Sequence, residues 1–312
     1  MTNIQFLFKG GLGNQIFQYF ASKYIEKNVK NLNLSYALSD HILSGYSNFE
    51  LDKLIKKPID KKKEFTQLKE NVYIKLIKNL PFLSNLQKLN LKSQIDLLNC
   101  LYYEKDNFGE NPLSTLEKDL NSLKRRVNKL KVKGYWQNPN CYIDNLDYYR
   151  NLLIDTKQLI KYKKMPEKYI SIHIRRGDYI LNKTNFNNYF SKFSTIKFIL
   201  LALNLLPQES DNMPIYLISD DKDWTNNLLT LLSNTSRYRF FTIDSKNHFE
   251  DWAILRHSSI NICSNSTFSY TAALLNYENL DQKLRCIVPQ WFSQYQSAFE
   301  KGWLSPKGFI EI

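Results

Sequence analysis

The stretch that decides the fold is Ser171-Ile172-His173-Ile174-Arg175-Arg176-Gly177-Asp178-Tyr179. Its first residues alternate with the period of a β-strand, so that Ile172 and Ile174 lie on one face while His173 and Arg175 share the other. Two arginines, a glycine and a carboxylate follow the apolar run. This pattern is typical of a buried parallel strand, and in parallel sheets ligands bind beyond the carboxyl ends of the strands.

Outward from this strand, the second half of the chain alternates apolar strands with helical patterns. The connections are long enough for crossover helices, so we expect a regular, Rossmann-like parallel sheet after an exposed connector at Lys161–Pro166. The predicted strands are Tyr169–Ile174, Ile215–Ser219, Arg239–Ile243, Ile260–Ser264 and Arg285–Pro289, and the predicted helices are Tyr189–Asn204, Asp223–Asn234, His248–Ser258 and Thr267–Asn279.

The first half of the chain opens with a strand, a glycine turn and a helix. Ile4–Phe8 is the strand, Lys9–Gly13 is the turn, and Asn14 lies where a helix cap is expected, ahead of apolar residues at helical spacing. Leu32–Tyr36 predicts a second strand. Residues 53–133 are lysine-rich and give no regular pattern, so this half is expected to be the less regular one.

The amino-acid composition excludes several classes of protein and indicates the charge of the partner. The 312 residues carry 43 Lys and Arg against 30 Asp and Glu, a formal net charge of +13 that favours an anionic partner. The composition excludes a disordered or disulfide-stapled chain, and the four cysteines show no CxxC spacing. Without a signal-peptide or membrane-span pattern, we expect a cytoplasmic protein that can rest peripherally on an anionic membrane surface.

The first candidate for chemistry is the end of the strand quoted above. A guanidinium there can form paired hydrogen bonds with a phosphate and cannot lose its charge. The alternative is a structural salt bridge of Arg175 or Arg176 with Asp178. His173 on its own is more often a satisfied core residue than an acid or base.

The second candidate is Ser219-Asp220-Asp221-Lys222-Asp223, at the end of the next strand. One of its carboxylates can accept paired hydrogen bonds from a base with two adjacent donors, such as guanine. Two alternatives stay open: Asp223 can simply cap the following helix, and the cluster can hold a divalent metal on nucleotide phosphates.

The third candidate is Ser264-Asn265-Ser266-Thr267-Phe268-Ser269, small polar residues between a strand and a helix. Backbone amides, the positive end of the helix dipole and hydroxyl groups together favour an anion site. The alternative is plain capping by Ser266 or Thr267. The chain has neither a GxxxxGK[ST] loop nor a GxGxxG loop, which disfavours kinase-like and dinucleotide-binding proteins.

Three of these segments together resemble the signatures of the α-1,2-fucosyltransferase family, glycosyltransferase family 11, in its bacterial type. The signature segments are Gly10–Tyr19, His173–Tyr179 and Ser264–Ser269. Weaker resemblances occur at Gly134–Gln137, Ser219–Asp221, Glu250-Asp251 and Val288–Phe292, and residues 53–133 match least.

The resemblance implies a GT-B-like α/β fold, with two Rossmann-like domains facing a cleft. Residues 1–160 would be the acceptor-side domain and residues 161–312 the GDP-fucose-binding domain. The implied reaction is inverting transfer of L-fucose from GDP-β-L-fucose to the 2-hydroxyl of a terminal β-galactoside, in surface glycan or lipopolysaccharide synthesis. Its partners would be GDP-fucose and a galactose-terminated oligosaccharide, with no cofactor and no obligatory metal.

The resemblance also implies roles for single residues. Arg175 would contact the diphosphate, and Asp178 is the first candidate for the general base, although an ion pair with Arg176 is equally compatible; Glu250 is the second choice. The nucleotide-sugar site would further include His173 and one of Asp220 or Asp221 at the guanine, Ser266, Thr267 and Phe268 at the phosphates, and Asn265. Asn14 and Gln15 would lie near the fucose and the acceptor.

Two other classes stay open at this point. The same site could serve another nucleotide-sugar glycosyltransferase, and a basic, aromatic-rich chain could bind nucleic acid, although no RNP-like, zinc-finger or helix-turn-helix signature supports the latter. Family members commonly carry two tryptophans where this chain has Tyr270 and Thr271. The acceptor pocket can therefore differ from theirs.

Overall fold

The computed structural model describes residues 2–39, 42, 48–60, 95–96, 101–104, 111–123, 129–183, 186–187, 194–276, 284–290, 306 and 308–312. The chain divides into two compact units, Met1–Tyr142 and Ile143–Ile312. Each unit is an α/β unit with its own mainly parallel sheet. These are the two Rossmann-like domains expected of a GT-B-like fold, and the second contains the more regular sheet.

The first unit is built on a five-stranded sheet of order β2-β1-β5-β4-β3. Every neighbouring pair is parallel except β3 and β4, which pair antiparallel at one edge. The carboxyl ends of β1, β5 and β4 therefore lie along one edge of the sheet. The elements are β1 (Thr2–Phe8), α1 (Leu12–Asn28), β2 (Leu32–Leu38), β3 (Ile95–Asp96), β4 (Leu101–Tyr103), α2 (Pro112–Leu123) and β5 (Lys129–Lys133).

The turn from β1 into α1 depends on two glycines. Gly10 has a φ of +76°, a conformation that side chains with a Cβ rarely adopt. Gly11 is the N-cap of α1 in an extended conformation, and no side chain caps the helix. Asn14 therefore lies inside the first turn of α1, and the expectation that it would sit at the cap position is wrong. The helix buries Ile16, Phe17 and Phe20 within the core of the unit.

The second unit has a six-stranded sheet of order β11-β10-β9-β6-β7-β8, and all of its neighbouring pairs are parallel. Counted from β6, this is the strand order 3-2-1-4-5-6 of a Rossmann fold. Its strands are β6 (Ile170–Ile174), β7 (Ile215–Ser219), β8 (Phe240–Thr242), β9 (Ile260–Ile262), β10 (Cys286–Val288) and β11 (Phe309–Glu311), and its helices are α3 (Leu146–Leu152), α4 (Lys157–Ile160), α5 (Gly177–Leu181), α6 (Thr195–Asn204), α7 (Lys222–Thr235), α8 (His248–Arg256) and α9 (Thr267–Leu275).

Strand β6 is the centre of this sheet. It is buried on both faces, and Ile170, Ile172 and Ile174 are core residues without solvent exposure. From β6 the sheet continues through β7 in one direction and through β9 in the other. The strand order therefore reverses between β6 and β9, and in open parallel sheets this is the point where a ligand crevice forms.

The five strands expected in the second half are confirmed, each at its predicted place. The start of the helix expected at Tyr189 lies outside the described residues, as do the end of the helix expected at Asn279 and the last two residues of Val288–Phe292. Strand β11 is an additional element that the sequence pattern did not predict. No helix in the described part of the chain is both long and apolar enough to cross a membrane.

The division between the units lies after Tyr142, earlier than the boundary expected after residue 160. Helices α3 and α4 belong to the second unit because their polar side chains bond to it. Arg150 Nε donates to the carbonyl of Leu275 over 2.7 Å. The hydroxyl of Thr156 lies 2.9 Å from Nε2 of His257.

Candidate functional site

The sheet edge at the carboxyl ends of β9, β6 and β7 brings the three candidate segments of the second unit together. Residues 175–178 follow β6, residues 220–221 follow β7 and residues 263–266 follow β9. Because β6 is parallel to both neighbours, these three segments lie at the same edge of the sheet. The sheet topology therefore confirms that the three segments lie at one edge, as the sequence predicts.

Asp220 holds the turn that follows β6. Its Oδ1 accepts hydrogen bonds from the backbone N–H groups of Arg176 (2.8 Å) and Gly177 (3.1 Å). Its Oδ2 lies 2.7 Å from the guanidinium of Arg175. A Cβ at Gly177 would stand 2.9 Å from Oδ2, so the glycine allows this close approach. Three of the roughly four acceptor positions of this carboxylate are used within the turn.

Arg175 lies between two carboxylates. One terminal nitrogen is 2.7 Å from Asp220 and the other is 2.5 Å from Oδ1 of Asp178. The guanidinium also lies 5.4 Å from the ring centre of Tyr179. The Arg175 side chain is 34% exposed, so its remaining N–H groups can reach an anion beyond the strand end. The structural salt bridge is therefore present, and it leaves donors available for phosphate.

Arg176 has a different environment. Its Nε lies 3.0 Å from Asp221, and its guanidinium stacks 4.0 Å above the ring of Trp224. Of the two salt bridges considered for Asp178, the one with Arg175 is present. The other oxygen of Asp221 accepts from the backbone N–H of Trp224 and caps α7. The expectation that Asp223 would cap this helix is wrong, because α7 begins at Lys222.

His173 is buried at the end of β6. Its Nδ1 lies 2.8 Å from the hydroxyl of Ser264, and its ring packs against Phe268 with centroids 5.4 Å apart. Burial lowers the pKa of His173 to about 3; Arg175 adds to this lowering while Asp220 opposes it. The imidazole is therefore neutral at physiological pH, and Nε2 is the ring nitrogen that Ser264 does not occupy.

The polar turn after β9 is built around the start of α9. The hydroxyl of Ser266 accepts from the backbone N–H of Phe268 over 3.3 Å, which makes Ser266 the N-cap. The carbonyl of buried Asn265 accepts from the hydroxyl of Tyr179 over 3.2 Å. Thr267 is half-buried at the first helical position. The capping interpretation is confirmed, and the turn also contacts the residues that follow β6.

Glu250 is held in place by an ion pair and hydrogen bonds. It is buried near the start of α8, 3.3 Å from Nζ of Lys163, and accepts from the backbone N–H of Lys246. Burial alone would raise the pKa of Glu250, but hydrogen bonds from Tyr162, Lys246 and Lys163 outweigh it and lower the pKa. The second choice for a general base is therefore already committed to an ion pair.

The first unit places Gln15 in its interior. The side chain has no solvent exposure, and its amide nitrogen donates to the carbonyls of Gly10 (2.8 Å) and Asn48 (2.7 Å). Its oxygen accepts from the backbone N–H groups of Glu50 (2.9 Å) and Leu51 (3.2 Å). All four hydrogen-bonding positions are used. Gln15 therefore fixes the glycine turn, and its side chain has no polar atom left for a sugar. Its expected place near the fucose and the acceptor stays a prediction.

Asn14 is half-buried on the same turn of the first unit. Its Oδ1 accepts a 2.9 Å hydrogen bond from Nε2 of Gln137. Gln137 belongs to the Gly134–Gln137 segment, which leaves the carboxyl end of β5. Two loops at one sheet edge are thereby joined. Sequence reasoning noted this segment but gave it no role, and it missed Glu104, whose carboxylate accepts from two backbone N–H groups of the segment.

The described residues contain no group of three or more His, Cys, Asp or Glu side chains that could hold a metal ion. The two carboxylates that the sequence offered to a divalent cation, Asp220 and Asp221, are paired with Arg175 and Arg176.

Similarity to known proteins identifies the family of this protein. The family model described as Glycosyl transferase family 11 matches residues 3–306, nearly the whole chain. The chain belongs to glycosyl transferase family 11. The resemblance found in the sequence is thereby confirmed, and the protein is a glycosyltransferase.

Family 11 relatives with a curated description are similar to the chain along most of its length. An alpha-1,2-colitosyltransferase of Escherichia coli is 26% identical over 299 residues, which cover 91% of this chain and 91% of the relative. The O-antigen biosynthesis glycosyltransferase WbnK of Escherichia coli is 26% identical over 308 residues, which cover 91% and 93%.

Similar solved structures include two complexes with GDP. A mutant of Arabidopsis thaliana FUT1 in complex with GDP has a TM-score of 0.48 at 14% identity, over 88% of this chain and 68% of that one. POFUT1 in complex with GDP has a TM-score of 0.45 at 12% identity, over 99% and 98%.

Proposed function

We propose that the chain is an inverting, GDP-fucose-dependent α-1,2-fucosyltransferase that acts on terminal β-galactosides in surface glycan or lipopolysaccharide synthesis. The observation that carries this proposal is the guanidinium of Arg175, fixed at the strand-order reversal next to neutral His173. Family membership supplies the reaction class. The activity named for the Escherichia coli relative, an α-1,2 transfer of a deoxy sugar, supports the linkage.

Arg175 would act on the leaving group. As the bond between fucose and phosphate breaks, negative charge collects on the departing diphosphate, and donors fixed at that position stabilise the transition state. The N–H groups of Arg175 that do not contact Asp178 or Asp220 would bind the diphosphate. Thr267, the first residue of α9, would place its backbone amide and its hydroxyl on the same anion.

The guanine would be bound by His173 and Asp221. Nε2 of the neutral imidazole can donate to an acceptor on the base while Ser264 holds Nδ1. Of the two carboxylates, Asp221 has more acceptor capacity left, because the turn after β6 uses most of Asp220. We therefore assign guanine recognition to Asp221 and a positioning role to Asp220.

The geometry favours a positioning role for Asp178 as well. In an inverting displacement the attacking hydroxyl approaches the face of the sugar opposite to the leaving group, and its base must lie on that side. Asp178 is 2.5 Å from the guanidinium proposed for the diphosphate. Asp178 therefore belongs to the leaving-group side, where its carboxylate orients Arg175, rather than to the side of the acceptor hydroxyl.

Product analysis tests this proposal. The purified protein is incubated with GDP-fucose and a panel of galactose-terminated oligosaccharides, and the products are read by mass and linkage. An α-1,2-fucosyl galactoside is the expected product. Transfer only from a UDP- or ADP-linked sugar would overturn the donor assignment and support the alternative of another nucleotide-sugar glycosyltransferase.

A second donor sugar belongs in the same assay. One relative is named for colitose, the 3-deoxy analogue of L-fucose, and the identity to that relative is the same 26% as to the O-antigen transferase. GDP-colitose and GDP-fucose share the nucleotide that the second unit would bind. A preference for GDP-colitose would keep the nucleotide site and change only the sugar.

The proposal extends to where the enzyme works. O-antigen synthesis, the process named for one relative, suggests a cytoplasmic enzyme that meets its acceptor at the inner face of the bacterial membrane. The net charge of +13 is suited to peripheral contact with anionic lipid. Contact with anionic lipid would account for the positive charge without a nucleic-acid partner. Sedimentation with anionic vesicles tests this contact, and absence of co-sedimentation would contradict it.

A further inference from the structure

We propose that the ring of Tyr135, together with the side-chain amides of Asn14 and Gln137, binds a neutral pyranose of the glycan acceptor. This inference rests on the proposed transferase function and assigns part of the acceptor site to the first unit.

The loop lies where a ligand site is expected. Gly134 directly follows β5, and Lys9 and Gly10 directly follow β1. The two strands are parallel neighbours, so both loops leave the same edge of the sheet. Ligands in parallel α/β sheets bind beyond this edge. The hydrogen bond from Gln137 to Asn14 joins the two loops there.

The loop is anchored on both sides by side chains. The Oε2 of Glu104 accepts from the backbone N–H groups of Tyr135 (2.6 Å) and Trp136 (2.8 Å). The amide of buried Gln18 donates to the carbonyl of Gly134 over 3.0 Å. The hydroxyl of Tyr142 donates to the carbonyl of Trp136 over 2.6 Å. Four hydrogen bonds therefore fix three successive residues.

The anchored loop contains a strained residue. Trp136 has a φ of +56°, the left-handed region, where a bulky side chain costs on the order of 1–3 kcal/mol. Its ring is buried and stacks on Tyr102 with centroids 6.5 Å apart. Such strain concentrates at binding and catalytic sites. Here the left-handed residue turns the chain so that Trp136 points into the core while Tyr135 remains outside.

Tyr135 presents an aromatic surface at this edge. It is 39% exposed, and Nζ of Lys9 lies 3.8 Å from its ring centre, which fixes the orientation of the ring. Burial lowers the pKa of Lys9, with Glu104 opposing the shift. Lys9 covers one face of the ring, so it is the opposite face that would offer a flat apolar surface to the C–H groups of a pyranose at little entropic cost.

The amides supply the polar half of the site. The bond between Nε2 of Gln137 and Oδ1 of Asn14 leaves the Nδ2 donor of Asn14 and the Oε1 acceptor of Gln137, and neither makes another hydrogen bond with a described residue. A sugar hydroxyl can both donate and accept, so it matches such a pair. Nδ2 of Asn14 lies where a Cβ at Gly10 would come within 2.3 Å, so the glycine makes room for it.

Substitution of Tyr135 tests the proposal. Tyr135→Ala is expected to raise the KM for the galactoside acceptor about tenfold, while the affinity for GDP in calorimetry stays that of the wild type. Tyr135→Phe keeps the ring and should stay close to wild type. The matched control is Tyr162→Ala, which removes another exposed tyrosine with a lysine 4.3 Å above its ring. A wild-type acceptor KM in Tyr135→Ala would overturn the proposal, as would an equal loss of GDP affinity.

A binding measurement keeps this test separate from the proposed function. Saturation-transfer NMR with methyl β-galactoside and other neutral methyl hexosides needs no donor and no turnover. The wild type is expected to bind at least one of these probes, and Tyr135→Ala should lose most of the signal. Failure to transfer fucose would then contradict the proposed function alone. If the wild type binds no saccharide, or if Tyr135→Ala binds it equally well, the pyranose site at Tyr135 alone is contradicted.

A second variant tests the amide pair of Asn14 and Gln137. Gln137→Glu keeps the size of the side chain but replaces its donor by a carboxylate oxygen, so Nε2 no longer donates to Oδ1 of Asn14. If the Asn14 amide flips, its Nδ2 donates to the new carboxylate and is no longer available to a sugar. The acceptor KM should rise and GDP affinity should not change. An unaltered acceptor KM in this variant would remove the amide pair from the site.

Discussion

The imidazole Nδ1 of His173 lies 2.8 Å from the hydroxyl oxygen of Ser264, so that β6 and the turn after β9 are bonded at the point where the strand order reverses. Both groups are buried. This contact ties the strand that ends in Arg175 to the turn that begins α9. The two segments expected to contact the diphosphate are thus held by one hydrogen bond beneath them.

Arg175→Ala is expected to lower kcat by at least about 10²–10³, because it removes the fixed donor that would stabilise the departing diphosphate. The fold should persist, since the side chain is partly exposed and ion pairs of this kind contribute about 0–1 kcal/mol. Steady-state kinetics and thermal unfolding measure both. Arg237→Ala is the matched control, because Arg237 also pairs with an aspartate, at 2.9 Å, on the surface. Full activity in Arg175→Ala would remove the assigned role.

Asp178→Asn distinguishes a positioning group from a general base. If Asp178 orients Arg175, as the 2.5 Å contact indicates, the variant should lose GDP affinity and turnover together. A general base would leave GDP affinity intact and lower turnover by about 10²–10⁴. Calorimetry with GDP and initial rates at saturating donor separate the two. Normal GDP binding with lost turnover would restore Asp178 as the base.

Gly10→Ala is expected to destabilise the first unit by about 1–3 kcal/mol, since a Cβ is strained at φ +76° and would lie 2.3 Å from Nδ2 of Asn14. Gly11→Ala is the internal control, because a Cβ there meets nothing within 4 Å and the φ of −75° suits any residue. Urea unfolding measures both. Equal stability of the two variants would contradict the role given to the turn.

The pH dependence of stability should report on His257. Burial lowers the pKa of His257 to about 4, with Arg256 and Lys157 adding to the shift, against 6.5 for the unshifted group. Between pH 6.5 and 4 His257 is therefore protonated in the unfolded chain and neutral in the folded chain. The free energy of unfolding falls as the pH decreases through this range, by about 1.4 kcal/mol for each unit of difference between the two pKa values.

His257→Gln should therefore flatten part of the decline in stability between pH 6.5 and 4. Some slope will remain, because burial also lowers the pKa of His173, to about 3, and that residue is unchanged in the variant. Urea unfolding at a series of pH values gives the slope. An identical slope in wild type and variant would show that His257 titrates alike in both states.

Metal removal should leave the transfer reaction unchanged. The carboxylates nearest the proposed phosphate site are paired with arginines, and these supply the positive charge that a cation would otherwise provide. Initial rates with and without EDTA measure this. Loss of activity with EDTA that is restored by manganese would instead place a cation at Asp220 and Asp221.

Local pattern was sufficient to predict five of the six strands described in the sheet of the second unit. Alternating or continuous apolar runs mark β6 and its neighbours, and ligand-bearing residues follow strand ends because parallel strands share one edge. The positions of Arg175, Asp220 and Ser264 could therefore be predicted from the sequence alone. Which aspartate pairs with which arginine could not be predicted. Asp178, Asp220 and Asp221 are all near two arginines, and the pairing depends on the geometry of the turn.

The first unit was harder to predict because its decisive contacts are distant in sequence. Gln15 bonds to Asn48, and Glu104 bonds to Tyr135 and Trp136. Strands β3, β4 and β5 are short and carry polar residues. A motif position such as Gln15 therefore suggested a place near the sugar, whereas the neighbours of Gln15 satisfy every polar atom of its side chain.

The two carboxylates beside Arg175 have a consequence for substrate affinity. An arginine side chain has about 2 kcal/mol of rotamer entropy, which an anion must overcome when it immobilises a loose side chain. Asp178 and Asp220 restrict those rotamers before any substrate arrives. Folding, rather than binding, therefore meets this entropic cost, and the nucleotide encounters a preorganised side chain.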